Sequence, residues 1–347
     1  MPVLNPSDLI AHRVDAIRRY HSATGLTRAE LDLSGGVDSA TMAGLLVLAL
    51  GADKLTLVYS SINSGSQTQN RAAKLSEGLG TSLVIHDLTP TYEAMVDAMV
   101  SNLVLAGWDR AELAKRIDND PTILGSIRSC LRAPLGRGYS RLTGNGIRHG
   151  TGNECEDRWL RFYQKGGDGE VDTNPIAMLS KGEVFQLATA LGDRLDCPDA
   201  FQAIVTAPPT PELWGKEASH TDEEEIGSYL GVQDSGQTFY SYIDPQSGDY
   251  ARVGMIERVA RFADSAQASA LFDDAASDAD LSQMIAAGIE HVALRPLSSD
   301  LVERLLRAAR RAERITRHKF NPACPTLGER AELLSAGILT NTLPDCE

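Results

Sequence analysis

The six residues Ser34-Gly35-Gly36-Val37-Asp38-Ser39 are of types that can hold a pyrophosphate. Glycines let the backbone turn tightly and bring bare N–H groups up to an anion. Serines add hydroxyl donors, and a helix opening here would offer roughly half a positive charge at its N-terminus. Asp38 is an awkward neighbour for phosphate unless a cation stands between them, and Mg²⁺, which prefers carboxylate and phosphate oxygens, is the expected one. The run is not the Walker pattern, because no Gly-Lys-Ser/Thr is present. A plain Ser/Gly turn with Asp38 as a helix cap is the competing reading, and the flanking elements weigh against it.

Those elements read as a strand over 29–33, a helix over 40–50 and a strand over 54–59, which is a parallel crossover unit with the loop at its first turn. The alternation continues with a helix over 69–79, a strand over 82–86 and a helix over 92–105. Two further helical stretches fall within 109–137. A weak strand at 146–150 leads into Gly150-Thr151-Gly152-Asn153, and an amphipathic helix spans 179–191. Ser7 can cap a helix through about Tyr20. A last helix over 298–316 carries Leu301, Val302, Leu305, Leu306, Ala309 and Ile315 on one stripe and meets His318-Lys319. The expected fold is α/β, a doubly wound parallel sheet with flanking helices, plus a C-terminal helical and irregular expansion. The domains expected are 1–230 as the catalytic unit, 231–297 as an insertion rich in small and acidic residues, and 298–347 returning to the same fold.

Composition narrows the partners. The chain has 347 residues, 42% hydrophobic and 23% charged, with a formal net charge of −14. A nucleic-acid backbone needs clustered Lys and Arg, so it is an unexpected partner. Five cysteines without a C-x-x-C pair suggest neither a zinc ribbon nor a disulfide framework, which fits a reducing cytoplasm. The apolar run Met42 to Leu50 is too short to cross a bilayer, and no signal peptide is evident, so a soluble cytoplasmic protein is expected.

The loop resembles the PP-loop of N-type ATP pyrophosphatases, the adenine nucleotide alpha hydrolase superfamily, whose members cleave ATP between the α and β phosphates to adenylate a substrate. Downstream, Gly150-Thr151-Gly152-Asn153-Glu154-Cys155-Glu156, Gln164-Lys165-Gly166-Gly167-Asp168-Gly169, Asp172-Thr173-Asn174-Pro175, Leu179-Ser180-Lys181, Pro209-Thr210-Pro211-Glu212 and His318-Lys319 follow in an order similar to that of the ammonia-dependent NAD synthetases. The resemblance implies that Ser34, Gly35, Gly36, Asp38, Ser39, Thr151, Lys181 and Thr210 bind ATP, and that Asp38 and Glu156 hold Mg²⁺. Glu156 lies one residue further from Lys165 than the family spacing, so Asp157 competes for that role. Arg132, Lys165, Asp168, Asp172, His318 and Lys319 would bind the carboxylate substrate, with Asp38, Lys181 and Lys319 acting in catalysis.

The implied reaction adenylates the nicotinate carboxylate of deamido-NAD and aminates it with ammonia, in a homodimer whose contact involves the helices around 109–137. No covalent enzyme intermediate is required. The 33 residues before Ser34 are too few for a glutaminase domain, so ammonia is expected from solution or a separate protein. Cys130 and Ala207 stand where the family pattern has Arg and Lys, and Pro211, Glu212, Arg317 and Phe320 also depart from it. These departures leave open the same machinery acting on another carboxylic acid. A tRNA-thiolating enzyme would want a basic surface and paired cysteines; a non-catalytic nucleotide binder would have lost Asp38 or Glu156.

Overall fold

The computed structural model describes residues 5–120, 122–207, 262–266, 268, 273, 275–292, 299–316, 319 and 328–340. Thr210, Pro211, Glu212, Arg317, His318 and Phe320 lie outside them, as does most of the expected 231–297 insertion.

Four strands, β1 (Ala29–Asp32), β2 (Leu55–Ser61), β3 (Leu83–Asp87) and β4 (Ile147–His149), form a parallel sheet in the order β3-β2-β1-β4. Ala29 pairs with Leu55 on one side and Ile147 on the other. The central strand is therefore flanked on both edges, and its Ala29 and Leu31 are fully buried. The order reverses beside β1, so a crevice opens at the carboxyl ends of β1 and β4, where ligands of open α/β sheets bind. A parallel bridge from His149 to Thr173 extends the sheet beyond β4.

Helices α1 (Pro6–Thr24), α2 (Val37–Leu50), α3 (Ser66–Gly78), α4 (Thr89–Leu105), α5 (Arg110–Asn119), α6 (Thr122–Leu142), α7 (Lys181–Arg194) and α8 (Pro198–Val205) flank it. The first begins differently from the expectation. Asn5, not Ser7, is the cap, accepting from the backbone N–H groups of Ser7 and Asp8. Pro6 explains the shift, because a residue with no N–H suits the first helical position and pushes the cap one residue upstream of it. Leu9, Ile10, Val14 and Ile17 then bury as read. α2 is apolar almost all round, with Ala40, Met42, Ala43, Leu45 and Leu46 fully buried, because it is sandwiched between the sheet and α1, α7 and α8.

Toward the C-terminus, α9 (Asp278–Val292) packs on α10 (Ser299–Thr316), and α10 packs on a π-helical turn at Cys155–Leu160. α11 (Arg330–Ser335) inserts Arg330 and Leu333 into the core. No described helix is long and apolar enough to cross a membrane.

Candidate active site

The phosphate loop occupies the turn between β1 and α2. Gly35 takes φ +81°, and a Cβ there would stand 2.3 Å from the carbonyl oxygen of Thr68, so glycine is required for both conformation and space. Gly36 is the N-cap of α2 and no side chain caps that end. Ser39 Oγ donates back to the Gly36 carbonyl at 3.0 Å and lies 3.1 Å from Ser34 Oγ, which itself accepts from the Gly36 N–H. Local sequence thus builds a donor-rich turn at the positive end of a 14-residue helix.

Asp38, in the first turn of α2, faces Lys181, the first residue of α7 and 143 residues away: Lys181 Nζ donates to Asp38 Oδ2 at 2.5 Å and to Glu156 Oε1 at 3.1 Å. The lysine side chain is 4% exposed, so one ammonium holds two carboxylates together away from bulk water. Asn153 Nδ2 donates to Asp38 Oδ1 at 3.2 Å, while its Oδ1 accepts from the N–H groups of Cys155 and Glu156 and so fixes the start of the π-helical turn. Burial raises the Asp38 pKa, and Lys181 opposes the rise.

That π-helical turn bears on Glu156 against Asp157. An i→i+5 turn holds one more residue than an α-turn and takes up a one-residue excess without displacing what precedes it. Glu156 faces Lys181 and lines the cavity, whereas Asp157 is turned beneath Gly152 and accepts from Asn174 Nδ2 at 2.9 Å. Removal from water, then the charge of Glu156, pushes the Asp157 carboxyl well above the usual carboxylate range.

The cavity is lined by the loop, the ends of β1, β2 and β4, Arg132, Thr151, Glu156, Asp168 and Lys181. Arg132 reaches it from α6, its Nε donating to the Ser60 carbonyl at 3.3 Å. Asp168 accepts from Ser129 Oγ and the Gln164 N–H, both at 2.7 Å. Three expected substrate residues are placed elsewhere. Lys165 is exposed and outside the cavity lining. Asp172 is chelated by Arg137 through two 2.7 Å bonds and accepts from the Arg148 N–H. Lys319 Nζ donates to the carbonyls of Tyr163 at 2.7 Å and Arg161 at 3.0 Å, and the Tyr163 hydroxyl donates to the Lys319 carbonyl. Half-burial lowers the Lys319 pKa, the Asp168 carboxylate at the cavity opposes the fall, and the ammonium is held by backbone carbonyls.

Several contributors carried no sequence signal of their own. Arg148, on β4, extends under the cavity and pairs with Glu30 and Asp32 on β1. His149 stacks on His21 with Nε2 to Nε2 at 3.0 Å, and burial followed by the second imidazole drives its pKa down to about 3, so it is neutral at physiological pH. Arg330 donates to both oxygens of Glu183 at 2.9 and 3.0 Å. Glu183 forms the capping box with Ser180 that sets Lys181 at the start of α7. The C-terminal segment thus buttresses the helix end that carries Lys181. Glu183→Gln retains a box-forming amide but removes the charge facing Arg330, and should cost about 2 kcal/mol, read as a fall in the urea midpoint at unchanged m-value.

A loop of phosphate donors at the switch point of a parallel sheet, opposite a lysine-bridged carboxylate pair, defines a nucleotide-binding α/β enzyme of the adenine nucleotide alpha hydrolase type. Comparison with known proteins is in accord: the NAD synthase family model matches residues 9–243. The NH(3)-dependent NAD(+) synthetase of Halobacterium salinarum is 34% identical over 63% of this chain and 73% of its own length. That of Pyrobaculum aerophilum is 32% identical over 66% and 75%. Among solved structures, NMN synthetase from Francisella tularensis superposes with a TM-score of 0.53 at 25% identity over 68% of this chain and 90% of that one. A glutamine-dependent NAD(+) synthetase from Cytophaga hutchinsonii shares the fold over 92% of this chain and 50% of its own, with a TM-score of 0.64 at 15% identity. The chain belongs to the NAD synthase family and is a ligase that uses ATP.

Proposed function

We propose that the enzyme adenylates the nicotinate carboxylate of deamido-NAD with ATP and aminates it with ammonia, forming NAD and releasing AMP and pyrophosphate. The observation that carries this reading is the convergence of Asp38, Glu156 and Lys181 on one cavity with the phosphate loop. Asp38 and Glu156 would hold Mg²⁺. Among the described residues no group of three or more His, Cys, Asp or Glu side chains could hold a metal alone. A pair of hard oxygen donors fits Mg²⁺, which commonly takes one or two carboxylates and completes its shell with phosphate oxygens and water. When bound, the ion would neutralise phosphate charge that otherwise repels the attacking carboxylate.

The chain's own groups do the rest. A substrate carboxylate oxygen attacks the α-phosphorus, the bond to the β-phosphate oxygen breaks, and its electron pair leaves with pyrophosphate, which the loop N–H groups and Ser34 and Ser39 receive. Lys181 holds the Asp38 and Glu156 side chains close together, and its charge opposes the rise that burial imposes on Asp38. Arg132 and Asp168 border the space left for the acid. Ammonia then adds to the acyl carbon of the mixed anhydride, AMP departs, and loss of a proton leaves the amide. Holding the three reactants in register supplies most of the rate, and no enzyme nucleophile is used.

A second reading, amidation of another carboxylic acid, is favoured by Ala207. It lines the cavity where the family pattern has a lysine, so one cationic anchor is missing there. The Francisella tularensis neighbour is named an NMN synthetase, a product other than NAD. We further infer a homodimer. α4 buries none of its residues, and Met95, Met99, Leu103 and Leu105 along it, with Trp108 just beyond, are exposed apolar side chains. The proposed compartment is the cytoplasm, where Cys130, Cys155 and Cys197, none of them in a disulfide here, would remain thiols.

Pyrophosphate release is measured with ATP, Mg²⁺ and ammonium, offering deamido-NAD, nicotinic acid mononucleotide or other carboxylic acids in turn. The first reading expects deamido-NAD to give the highest kcat/KM with one NAD per pyrophosphate. Turnover confined to a different acid replaces it with the second reading, and no ATP cleavage with any acid refutes both.

A further inference from the structure

We propose that Arg71 is a phosphate-binding residue of this site, a cation supplied by α3 that receives the pyrophosphate as it leaves. The inference rests on the adenylation reading above and adds a residue which neither the loop motif nor the later sequence blocks contain.

Three observations place it. Arg71 is half-buried on α3, and its Nε donates to the carbonyl of Gly35 at 3.1 Å, so the guanidinium is anchored on the phosphate loop itself. It lines the same cavity as Ser34, Gly35, Gly36 and Lys181. The helix that carries it is locked against the loop: the Thr68 carbonyl is where a Gly35 Cβ would be, and Thr68 Oγ1 is 2.8 Å from the Tyr59 hydroxyl. Position and orientation are thus fixed before any ligand arrives.

Charge gives the reason. When the bond between the α-phosphorus and the bridging oxygen breaks, the electron pair stays on pyrophosphate, and the loop supplies hydroxyl and N–H dipoles but no full positive charge. Arg132 approaches from α6 and leans on the end of β2. Arg71, by contrast, is hydrogen-bonded to the loop itself. A guanidinium oriented through Nε presents a planar fork that matches two phosphate oxygens, which a flexible ammonium does not. Arg71 therefore stabilises the developing charge on the leaving group and slows its return.

The test measures binding of inorganic pyrophosphate with Mg²⁺ by calorimetry, and KM and kcat for ATP, in wild type, Arg71→Met and Arg71→Lys, with AMP binding as the reference. Arg71→Met is expected to weaken pyrophosphate and raise the KM for ATP by about 10- to 100-fold, with AMP affinity and thermal midpoint little changed. Arg71→Lys should recover part of the loss. Equal pyrophosphate affinity in Arg71→Met and wild type overturns the assignment. So does a parallel fall in AMP affinity and thermal midpoint, which would mean that Arg71 merely braces Gly35. The binding assay needs no carboxylate substrate, so wild type that binds pyrophosphate through Arg71 yet amidates no acid refutes the proposed reaction and leaves this assignment standing.

Discussion

Lys181→Met is expected to lower the rate of pyrophosphate release by about 100- to 1,000-fold at saturating ATP, the cost of removing one preorganised cationic donor from a site of developing charge. The lysine does two things at once. It offers positive charge where ATP phosphates are expected, and it holds the Asp38 and Glu156 side chains within one ammonium's reach. Asp38 is already pushed upward by burial, so without Lys181 it takes up a proton more readily. Residual activity of the variant should therefore fall more steeply below neutral pH than that of wild type. Coupled pyrophosphate assays across pH, with far-UV circular dichroism to verify the fold, measure both effects. A loss smaller than about 10-fold, with an unaltered pH profile, would mean that Lys181 is a structural tie between α2, α7 and the π-helical turn.

Arg148→Met should destabilise the protein by about 3–5 kcal/mol, the range seen when one partner of a buried pair is removed. The side chain of Arg148 is 2% exposed and that of Glu30 0%, with Nη1 to Oε2 at 2.6 Å, and Arg148 also serves Asp32. α6 closes over the group: a Cβ on Gly136 would stand 1.8 Å from Arg148 Nη1, so no water layer lies between helix and guanidinium there. Burial, then the charge of Asp32, pushes the Glu30 pKa up to about 7 despite Arg148. Between its ordinary value of 4.5 and about 7, native Glu30 therefore holds a proton that the unfolded chain has released. Its contribution to stability is fully present below pH 4.5 and is lost as the pH rises through about 7. Removing Arg148 raises the cost of the ionised form further but leaves the protonated form almost untouched. The deficit of Arg148→Met relative to wild type should thus be largest at pH 8 and shrink toward pH 5, as read by urea unfolding at both. A deficit independent of pH would show that lost packing, not an unpaired carboxylate, is responsible.

Much of the fold was legible because its signals are local. Apolar runs of strand length separated by helical periodicity located β1, β2 and β3 and their crossovers within a few residues. The glycine at position 35 and the helix opening at Val37 follow from neighbours in the chain. The three-residue β4 was weak as a sequence signal because its pairing comes from Ala29 to Leu31, more than a hundred residues away. His318, Lys319 and Thr210 were singled out by the ordered blocks, and His318 and Thr210 fall outside the described residues. The actual partners of Lys319, the carbonyls of Arg161 and Tyr163, have no side-chain signature by which a sequence could announce them.

By itself the sequence determined that a turn rich in glycine and serine stands between a strand and a helix, that the sheet is parallel, and that the ordered blocks are those of the NAD synthase family. Backbone conformation, periodicity and helix termini depend on residues a few positions apart, and the chain states them directly. Tertiary structure alone decided that Lys181 bridges Asp38 and Glu156, that the π-helical turn sends Asp157 away from that bridge, that Arg71 leans on the loop, and that Arg330 supports the helix bearing Lys181. These contacts join residues from 25 to 147 positions apart, apart from Asp157 and Asn174 at 17. A charged side chain pairs with whatever the packing of sheet and helices brings within about 3 Å, and sequence spacing does not encode that distance.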